Sequence, residues 1–187
     1  MKASGLSLVE LLVTLVIAGL LMRIGAPAFR DLTAGTRSSA ALNQLIGAVQ
    51  YARSMAITRR TTVTLCPGMD RACFGRDQWH RGALLFQDQN GDGQIQAGDS
   101  VLSRLPGIAA DGRVYWRSFR NRTYLQFLPR GYTAWQNGSF LYCSASRAAR
   151  EARMVILNAQ GRIRRAEDRN GDGIVEDASG KPVSCPV

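Results

Sequence analysis

The chain has 187 residues, a formal net charge of +10 and an isoelectric point near 10.3. Its charged fraction of 20% is too low for a disordered polyelectrolyte, and its hydrophobic fraction of 45% is enough to build a core. The basic residues are 22 arginines and two lysines, an excess that predicts an anionic partner: nucleic acid, acidic lipid or polysaccharide. The single histidine, His80, and the lack of any recognised spacing of serine, histidine and acid argue against an enzyme.

An apolar run covers residues 6–29 and is interrupted by Glu10, Arg23 and Pro27. Since a membrane-spanning helix needs roughly 20 residues, this run is long enough to cross a bilayer. A secretory signal would place its small-residue cleavage site after the apolar core, whereas Gly5 precedes it here. An acid inside a membrane segment is costly and implies a partner.

The stretch GLSLVE, from Gly5 to Glu10, resembles the prepilin peptidase site of type IV pilins and type II secretion pseudopilins. This resemblance implies cleavage by prepilin peptidase after Gly5, methylation of the new N-terminal residue Leu6, and assembly roles for Glu10 and Pro27. It also implies a single pass through the inner membrane, a periplasmic globular domain, and later incorporation with other pilins into an extracellular pilus. Leu6 departs from the usual Phe at the first mature position.

The helix is predicted to continue past the membrane, because apolar residues recur with helical spacing. This apolar stripe consists of Leu42, Leu45, Ile46, Val49, Ala52 and Ala56. Pro27 lacks an N–H and is expected to bend or locally melt the helix. The helix is expected to end near residues 58–62, where β-branched residues begin.

Short alternating runs separated by turn residues follow, and they predict antiparallel strands. The predicted strands are 61–66, 82–87, 101–105, 113–118, 123–128, 139–143 and 153–158, with a further one possible near 162–165. Pro67-Gly68 is taken as one of the turn signals. The sequence thus predicts an α+β fold, with a long N-terminal helix packed on an antiparallel β-sheet. The resemblance to type IV pilins implies that this is the type IV pilin fold. The predicted parts are a leader peptide 1–5, a membrane helix 6–29, its amphipathic continuation 30–60 and a β-rich globular domain 61–187.

Four cysteines fit an exported protein with disulfides, and four allow three pairings. We favour Cys66–Cys73, which closes a short loop, and Cys143–Cys185, which ties the C-terminal tail to a strand. A zinc site is the alternative, although the cysteines lack the closely paired spacing of structural zinc sites.

Several stretches resemble the GspH/FimT family of minor pilins and pseudopilins. They are QYARSMAITRR (50–60), VTLCPG (63–68), WHRGALLFQDQNGDG (79–93), LQFLPRGY (125–132), FLYC (140–143) and MVILNAQGRIRR (154–165). The resemblance implies the pilin fold, insertion into the inner membrane and incorporation into a thin filament.

Two glycine-rich acidic loops match part of the EF-hand calcium pattern. The candidate ligands of the first loop are Asp88, Asn90, Asp92 and Asp99, and those of the second are Asp168, Asn170 and Asp172, with Ser179 at the twelfth position. Neither loop has the expected pair of flanking helices. The alternative is a hairpin loop whose side chains cap their own backbone, and no other cofactor is predicted.

The segment Gly161-Arg162-Ile163-Arg164-Arg165 resembles the G-R-x-R motif of FimT-type pilins that bind DNA during natural transformation. If Gly161 makes a turn, Arg162 and Arg164 lie on one face of a strand, roughly 7 Å apart, with Ile163 opposite. Such a pair would bind the phosphates of double-stranded DNA without reading its sequence. Further candidates are Arg147, Arg150, Arg153 and Arg169. The alternative is a solvated edge strand whose charge blocks sheet-to-sheet aggregation.

A second run mixes arginines with aromatic residues and is a secondary candidate for stacking bases. It contains Arg113, Tyr115, Trp116, Arg117, Phe119, Arg120, Arg122 and Tyr124.

The sequence leaves two functions open for the whole chain. One is a minor pilin that binds DNA for uptake, and the other is a minor pilin or secretion pseudopilin that acts only in filament priming and assembly.

Overall fold

The computed structural model describes residues 7–108 and 112–186, so the predicted cleavage site at Gly5 and Leu6 lies outside the described residues. The chain divides into two compact units, the first ending at Thr36 and the second spanning Arg37–Val187.

A single helix, α1, spans Leu8–Arg59. Its first turn is capped by the Ser7 hydroxyl, which accepts a hydrogen bond from the Glu10 backbone N–H at 3.2 Å. The segment Leu8–Ala26 is exposed throughout and is, by length and composition, able to cross a membrane. Local melting of the helix at Pro27 was expected, but α1 continues through this residue. A proline removes one hydrogen bond of the ladder, and the bonds on either side of it suffice to continue the helix.

The part of α1 within the second unit buries the predicted apolar stripe. Leu42, Leu45, Val49, Ala52 and Ala56 join the main hydrophobic core, with Ile46 half-buried beside it. The helix ends at Arg59, as predicted, and Arg60 adopts a left-handed conformation with φ 51°.

The described residues after α1 form nine strands, all antiparallel, in two sheets. The first sheet contains β1 (Val63–Met69), β2 (Ala72–Cys73), β3 (Ala83–Gln87), β4 (Ser100–Leu105) and β6 (Leu125–Phe127). Its order is β2-β1-β3-β4, and β6 also pairs with β1. A short 3-10 helix, Arg76–Arg81, lies between β2 and β3 and buries Trp79.

The second sheet contains β5 (Arg113–Ser118), β7 (Gly138–Cys143), β8 (Arg153–Leu157) and β9 (Ile163–Arg165), in the order β5-β7-β8-β9. Its two faces differ. Val155 and Leu157 of β8 pack with α1 in the main core, whereas Met154 and Ile156 face the opposite side, which we call the outer face. Part of the outer face is covered by the C-terminal tail, through Val175.

The predicted α+β fold is confirmed, and every predicted strand occurs with its ends shifted by at most three residues. The turn expected at Pro67-Gly68 is wrong, since both residues lie inside β1. Gly68 donates its N–H to the Gly82 carbonyl at 3.1 Å, so the strand continues past the proline. The chain reverses instead at Asp70, whose φ is 55°, and this reversal produces the unpredicted strand β2.

The structure forms the two favoured disulfides, Cys66–Cys73 and Cys143–Cys185, so none of the four cysteines is left to hold zinc. Each bond lies in a small cluster of its own beside the main core.

Candidate nucleic-acid interface

The hairpin that joins β8 to β9 holds the predicted DNA-binding motif. Asn158 organises its turn: the Asn158 carbonyl accepts the Gly161 N–H at 3.0 Å, and its side-chain oxygen accepts the Arg162 N–H at 2.9 Å. Gly161 has φ +75°, and a Cβ there would lie 2.5 Å from the Gly131 carbonyl oxygen. Glycine is therefore required both by the turn and by close packing.

The register of β9 against β8 separates the arginines of the motif. Arg164 pairs with Ile156 and so shares the outer face, whereas Ile163 pairs with Leu157 on the core side, where it packs half-buried against the main core. Arg162 and Arg164, two residues apart, are both exposed. Arg165 is turned to the other side, where its guanidinium donates a hydrogen bond to the Asn43 side chain of α1.

Arg153 is also held in place. Its guanidinium donates hydrogen bonds to the carbonyls of Arg150 and Ala152, at 2.7 and 2.8 Å. Arg153 and Arg165 line one cleft of about 410 Å³, together with the acidic residues Glu167 and Asp168. Two arginines and two acidic residues therefore share this cleft, and the acidic residues lower its positive potential.

The remaining candidates lie elsewhere. Arg150 packs over Gly173 of the second acidic loop, and Arg147 lines a separate opening of about 400 Å³ with His80 and Arg113. Arg169 is exposed, and its backbone N–H donates to the Glu176 carboxylate at 2.9 Å. The structure thus spreads the eight predicted residues over several places instead of one patch. Arg164 and Arg165 face opposite sides of β9, and Arg147, Arg150 and Arg169 lie outside the strands.

The imidazole of His80 lines the same opening as Arg147. Burial, and then the positive charges of Arg113 and Arg81, lower the pKa of its imidazole below the ordinary value. Its Nδ1 atom is buried without a hydrogen-bond partner among the described residues.

The run of arginines and aromatic residues at 113–124 does not form a continuous stacking surface. Trp116 is buried in the main core, and Tyr115 and Tyr124 are half-buried beside the two disulfide clusters. Phe119 is the exposed aromatic residue of this run. Its arginines, Arg113, Arg117, Arg120 and Arg122, are exposed.

Sequence analysis missed Trp135, whose side chain is 68% exposed and whose backbone has φ 61°. The sequence gives no signal that this tryptophan is exposed, because tryptophan side chains are on average largely buried.

The two acidic loops form the self-capped arrangement. In the first, the Asp88 carboxylate accepts the N–H groups of Gly91 and Gly93, at 2.7 and 2.9 Å. In the second, Asp168 accepts the corresponding N–H groups, both at 2.7 Å. Among residues 7–108 and 112–186, no group of three or more His, Cys, Asp or Glu side chains is placed to hold a metal ion.

A long apolar N-terminal helix that continues into the core of an antiparallel β domain defines a type IV pilin-like protein. Residues 41–161 match the family of type II transport protein GspH, and the chain belongs to this family of minor pilins and pseudopilins. No curated protein matches it in sequence.

Two solved structures of one minor pilin show the same fold. Two crystal structures of the type IV minor pilin FimU from Pseudomonas aeruginosa PAO1 match with TM-scores of 0.57 and 0.55, at 21% and 20% identity. They cover 81% and 79% of this chain, and 96% and 99% of their own. The minor pseudopilin EpsH of the Vibrio cholerae type 2 secretion system matches with a TM-score of 0.49 and 12% identity, over 69% of this chain and 95% of its own.

Proposed function

We propose that this chain is a minor type IV pilin that binds extracellular double-stranded DNA, without sequence preference, for uptake in natural transformation. The observation that carries the proposal is the pair of exposed guanidinium groups, Arg162 and Arg164, on the hairpin of an edge strand. Among the described strands, β9 pairs with β8 alone, so its other edge is not covered by a strand of this sheet.

The pair suits phosphates. Arg164 lies within β9 and Arg162 directly precedes that strand, and extended backbone separates residues two apart by roughly 7 Å. A guanidinium binds a phosphate with two parallel hydrogen bonds. Backbone contacts of this kind position a duplex but do not read its bases. Arg153 and Arg165 contribute less in this proposal, because their guanidinium groups already have partners within the chain.

The proposal includes the delivery of this surface to the outside. We place a leader at residues 1–5, a methylated Leu6 after cleavage by prepilin peptidase, and a membrane anchor at residues 6–29. The anchor would hold the globular domain in the periplasm until Glu10 and Pro27 take part in assembly with other pilins. The exposed apolar segment Leu8–Ala26 supports this order, since it needs a bilayer or neighbouring helices to cover it.

A second candidate function is filament priming and assembly alone, in a pilus or a type II secretion system. The same exposed apolar segment supports it, and it requires nothing of Arg162 and Arg164 beyond keeping an edge strand from aggregating.

The test is DNA binding by the full chain in neutral detergent micelles across a salt series. The affected variant is Arg162→Gln/Arg164→Gln, and the control of equal charge is Arg153→Gln/Arg165→Gln. Losing two phosphate contacts should reduce the slope of log K against log salt by about 1.8, whereas the control should change it by less than one. If the wild type binds a duplex no better than Arg162→Gln/Arg164→Gln, the arginines are surface charge and the assembly function replaces this one.

A further inference from the structure

A row of four side chains crosses the second sheet on its outer face. Arg117 of β5 pairs with Ser139 of β7, which pairs with Ile156 of β8, which pairs with Arg164 of β9. Directly paired residues point to the same side of a sheet. The row therefore places one exposed arginine at each edge and two uncharged residues between them. With strands about 4.8 Å apart, the two arginine backbones lie roughly 14 Å from each other.

Above Ser139 and Ile156 lies an open groove of about 600 Å³, which also contacts Phe119 and Trp135. These two aromatic side chains are 55% and 68% exposed. Gly138, Ala159 and Ala178 are among the other residues that line the groove. The Arg120 guanidinium lies over the Phe119 ring, 5.8 Å from its centre, and adds a positive charge beside it.

The loops that carry the two rings are held in place. The Phe119 N–H donates to the Asn137 carbonyl at 2.8 Å, which joins the loop after β5 to the segment before β7. The Trp135 N–H donates to the Thr133 carbonyl at 2.8 Å, and the Trp135 backbone lies in the left-handed region. That conformation costs roughly 1–2 kcal/mol for an L-residue. Since the ring is exposed, packing of the ring into the core does not compensate for this cost.

We infer that this groove binds single-stranded DNA, with bases stacked on Phe119 and Trp135 and phosphates bound by Arg117 and Arg164. The inference rests on the proposed function and extends it from the duplex to unpaired strands. Rigid aromatic rings flanked by cations form the usual platform for single strands, because every base has a face to stack. A duplex cannot use the rings, since its bases already stack on each other.

The charge of the site favours this occupant over a second copy of the chain. The row ends in two arginines, and Arg120 and Arg122 lie next to Phe119 in the sequence. A second copy would bring the same positive groups to the interface, and like charges at close range repel.

Tryptophan fluorescence tests the inference directly. The chain has three tryptophans, of which Trp79 and Trp116 are buried, so quenching by a ligand reports on Trp135. We expect an oligothymidylate to quench the fluorescence of the full chain in neutral detergent. An abasic oligonucleotide of equal length and charge should bind more weakly and leave the emission unchanged.

The variants Phe119→Leu and Trp135→Leu should each lose at least about fivefold in affinity for oligothymidylate, and little for the abasic strand or a duplex. Binding by these variants is followed by a label on the DNA. The matched control is Tyr132→Leu, which removes an aromatic ring that is 50% exposed but does not line the groove.

If Phe119→Leu and Trp135→Leu lose affinity equally for the abasic and the intact strand, the inference is overturned, because stacking of bases would not be involved. Burial of Trp135 that grows with protein concentration in the absence of DNA would also overturn it, in favour of a second copy. If the duplex depends on Arg162 while the aromatic variants bind oligothymidylate normally, the inference fails and the proposed function stands. If the single strand binds through the rings and no duplex binds, the inference stands and the duplex function fails.

Discussion

The two acidic loops have nearly the same sequence, Asp-Gln-Asn-Gly-Asp-Gly at 88–93 and Asp-Arg-Asn-Gly-Asp-Gly at 168–173. Their internal hydrogen bonds are the same: the first Asp accepts two glycine N–H groups, the Asn accepts the second Asp N–H, and the second Asp accepts the N–H of the residue two positions later. Local sequence therefore produces the same local loop twice.

The surroundings of the loops differ. Asp88 is completely buried, and its carboxylate also accepts hydrogen bonds from Thr64 and Gln126 of the first sheet, at 2.7 and 2.9 Å. Asp168 is exposed. The first loop is therefore tied to its sheet by a buried carboxylate. The second is followed by a tail that the Cys143–Cys185 bond ties to the other sheet.

The largest expected effect is the loss of that bond. Replacing Cys143 and Cys185 by serine should lower the free energy of unfolding by about 4 kcal/mol, because the bond closes a loop of 42 residues. Removing Cys66–Cys73, which spans seven residues, should cost about 2 kcal/mol. Urea unfolding of both double variants checks the order. A larger loss for Cys66–Cys73 would mean that the tail contributes little to stability.

Removing the first aspartate should destabilise the protein more in the first loop than in the second. This reverses the order expected for the disulfides, where the bond of the C-terminal tail contributes more. Asp88→Ala leaves the buried Thr64 hydroxyl without an acceptor and removes one of the two hydrogen bonds that the Gln126 amide donates, so it should cost about 3 kcal/mol. Asp168→Ala should cost about 1 kcal/mol or less, since water can replace the carboxylate. Urea unfolding compares the pair, and equal losses would show that the buried network has no special weight.

The glycines at the sixth loop position give a smaller contrast. A Cβ on Gly93 would lie 2.1 Å from the Tyr124 ring, whereas one on Gly173 would meet only the Arg150 side chain, at 3.5 Å. Alanine should therefore cost about 2 kcal/mol at Gly93 and about 1 kcal/mol at Gly173, where only the left-handed backbone is strained. Thermal unfolding measures both.

The control for this pair is the fourth loop position. Gly91 and Gly171 both have open space around them and similar positive φ. Gly91→Ala and Gly171→Ala should therefore lose equal stability, about 1 kcal/mol each. A difference between them would mean that the loops are not locally equivalent.

The smallest effect concerns DNA and depends on the proposed function. Asp172 and Asp92 hold the fifth position of the second and first loops. Asp172 precedes Gly173, over which Arg150 packs, whereas Asp92 precedes Gly93, which meets the Tyr124 ring instead of an arginine. Asp172→Asn should raise duplex affinity about twofold at low salt, because a repelling charge is removed, and Asp92→Asn should raise it less. Binding measured at two salt concentrations separates this long-range effect from a contact.

The sequence predicted most of the fold because its signals were local. The apolar stripe of α1, the alternating strands and the turn residues act through neighbours a few positions apart. The turn at Pro67 was predicted wrongly because a proline, which lacks an N–H, fits a strand where no neighbouring strand requires a donor at that position. The neighbouring strands β2 and β3 come later in the chain, so the local sequence does not show this.

The candidate site was predicted less completely. Gly161, Arg162 and Arg164 could be identified from one short motif, but the sequence grouped Arg165 and Arg153 with them. Only the strand register shows that Arg165 faces α1. Phe119 and Trp135 come together in one groove because their loops meet across β5 and β7, a contact between distant parts of the chain.

The sequence by itself determined the apolar N-terminal helix, the antiparallel strands, the conformation of both acidic loops and the turn at Gly161. These features depend on dihedral preferences and on hydrogen bonds within a few residues. Only the tertiary structure decided that Asp88 is buried and Asp168 exposed, and which arginines remain free. Burial and partner choice depend on strand order and register, which bring residues far apart in the chain into contact.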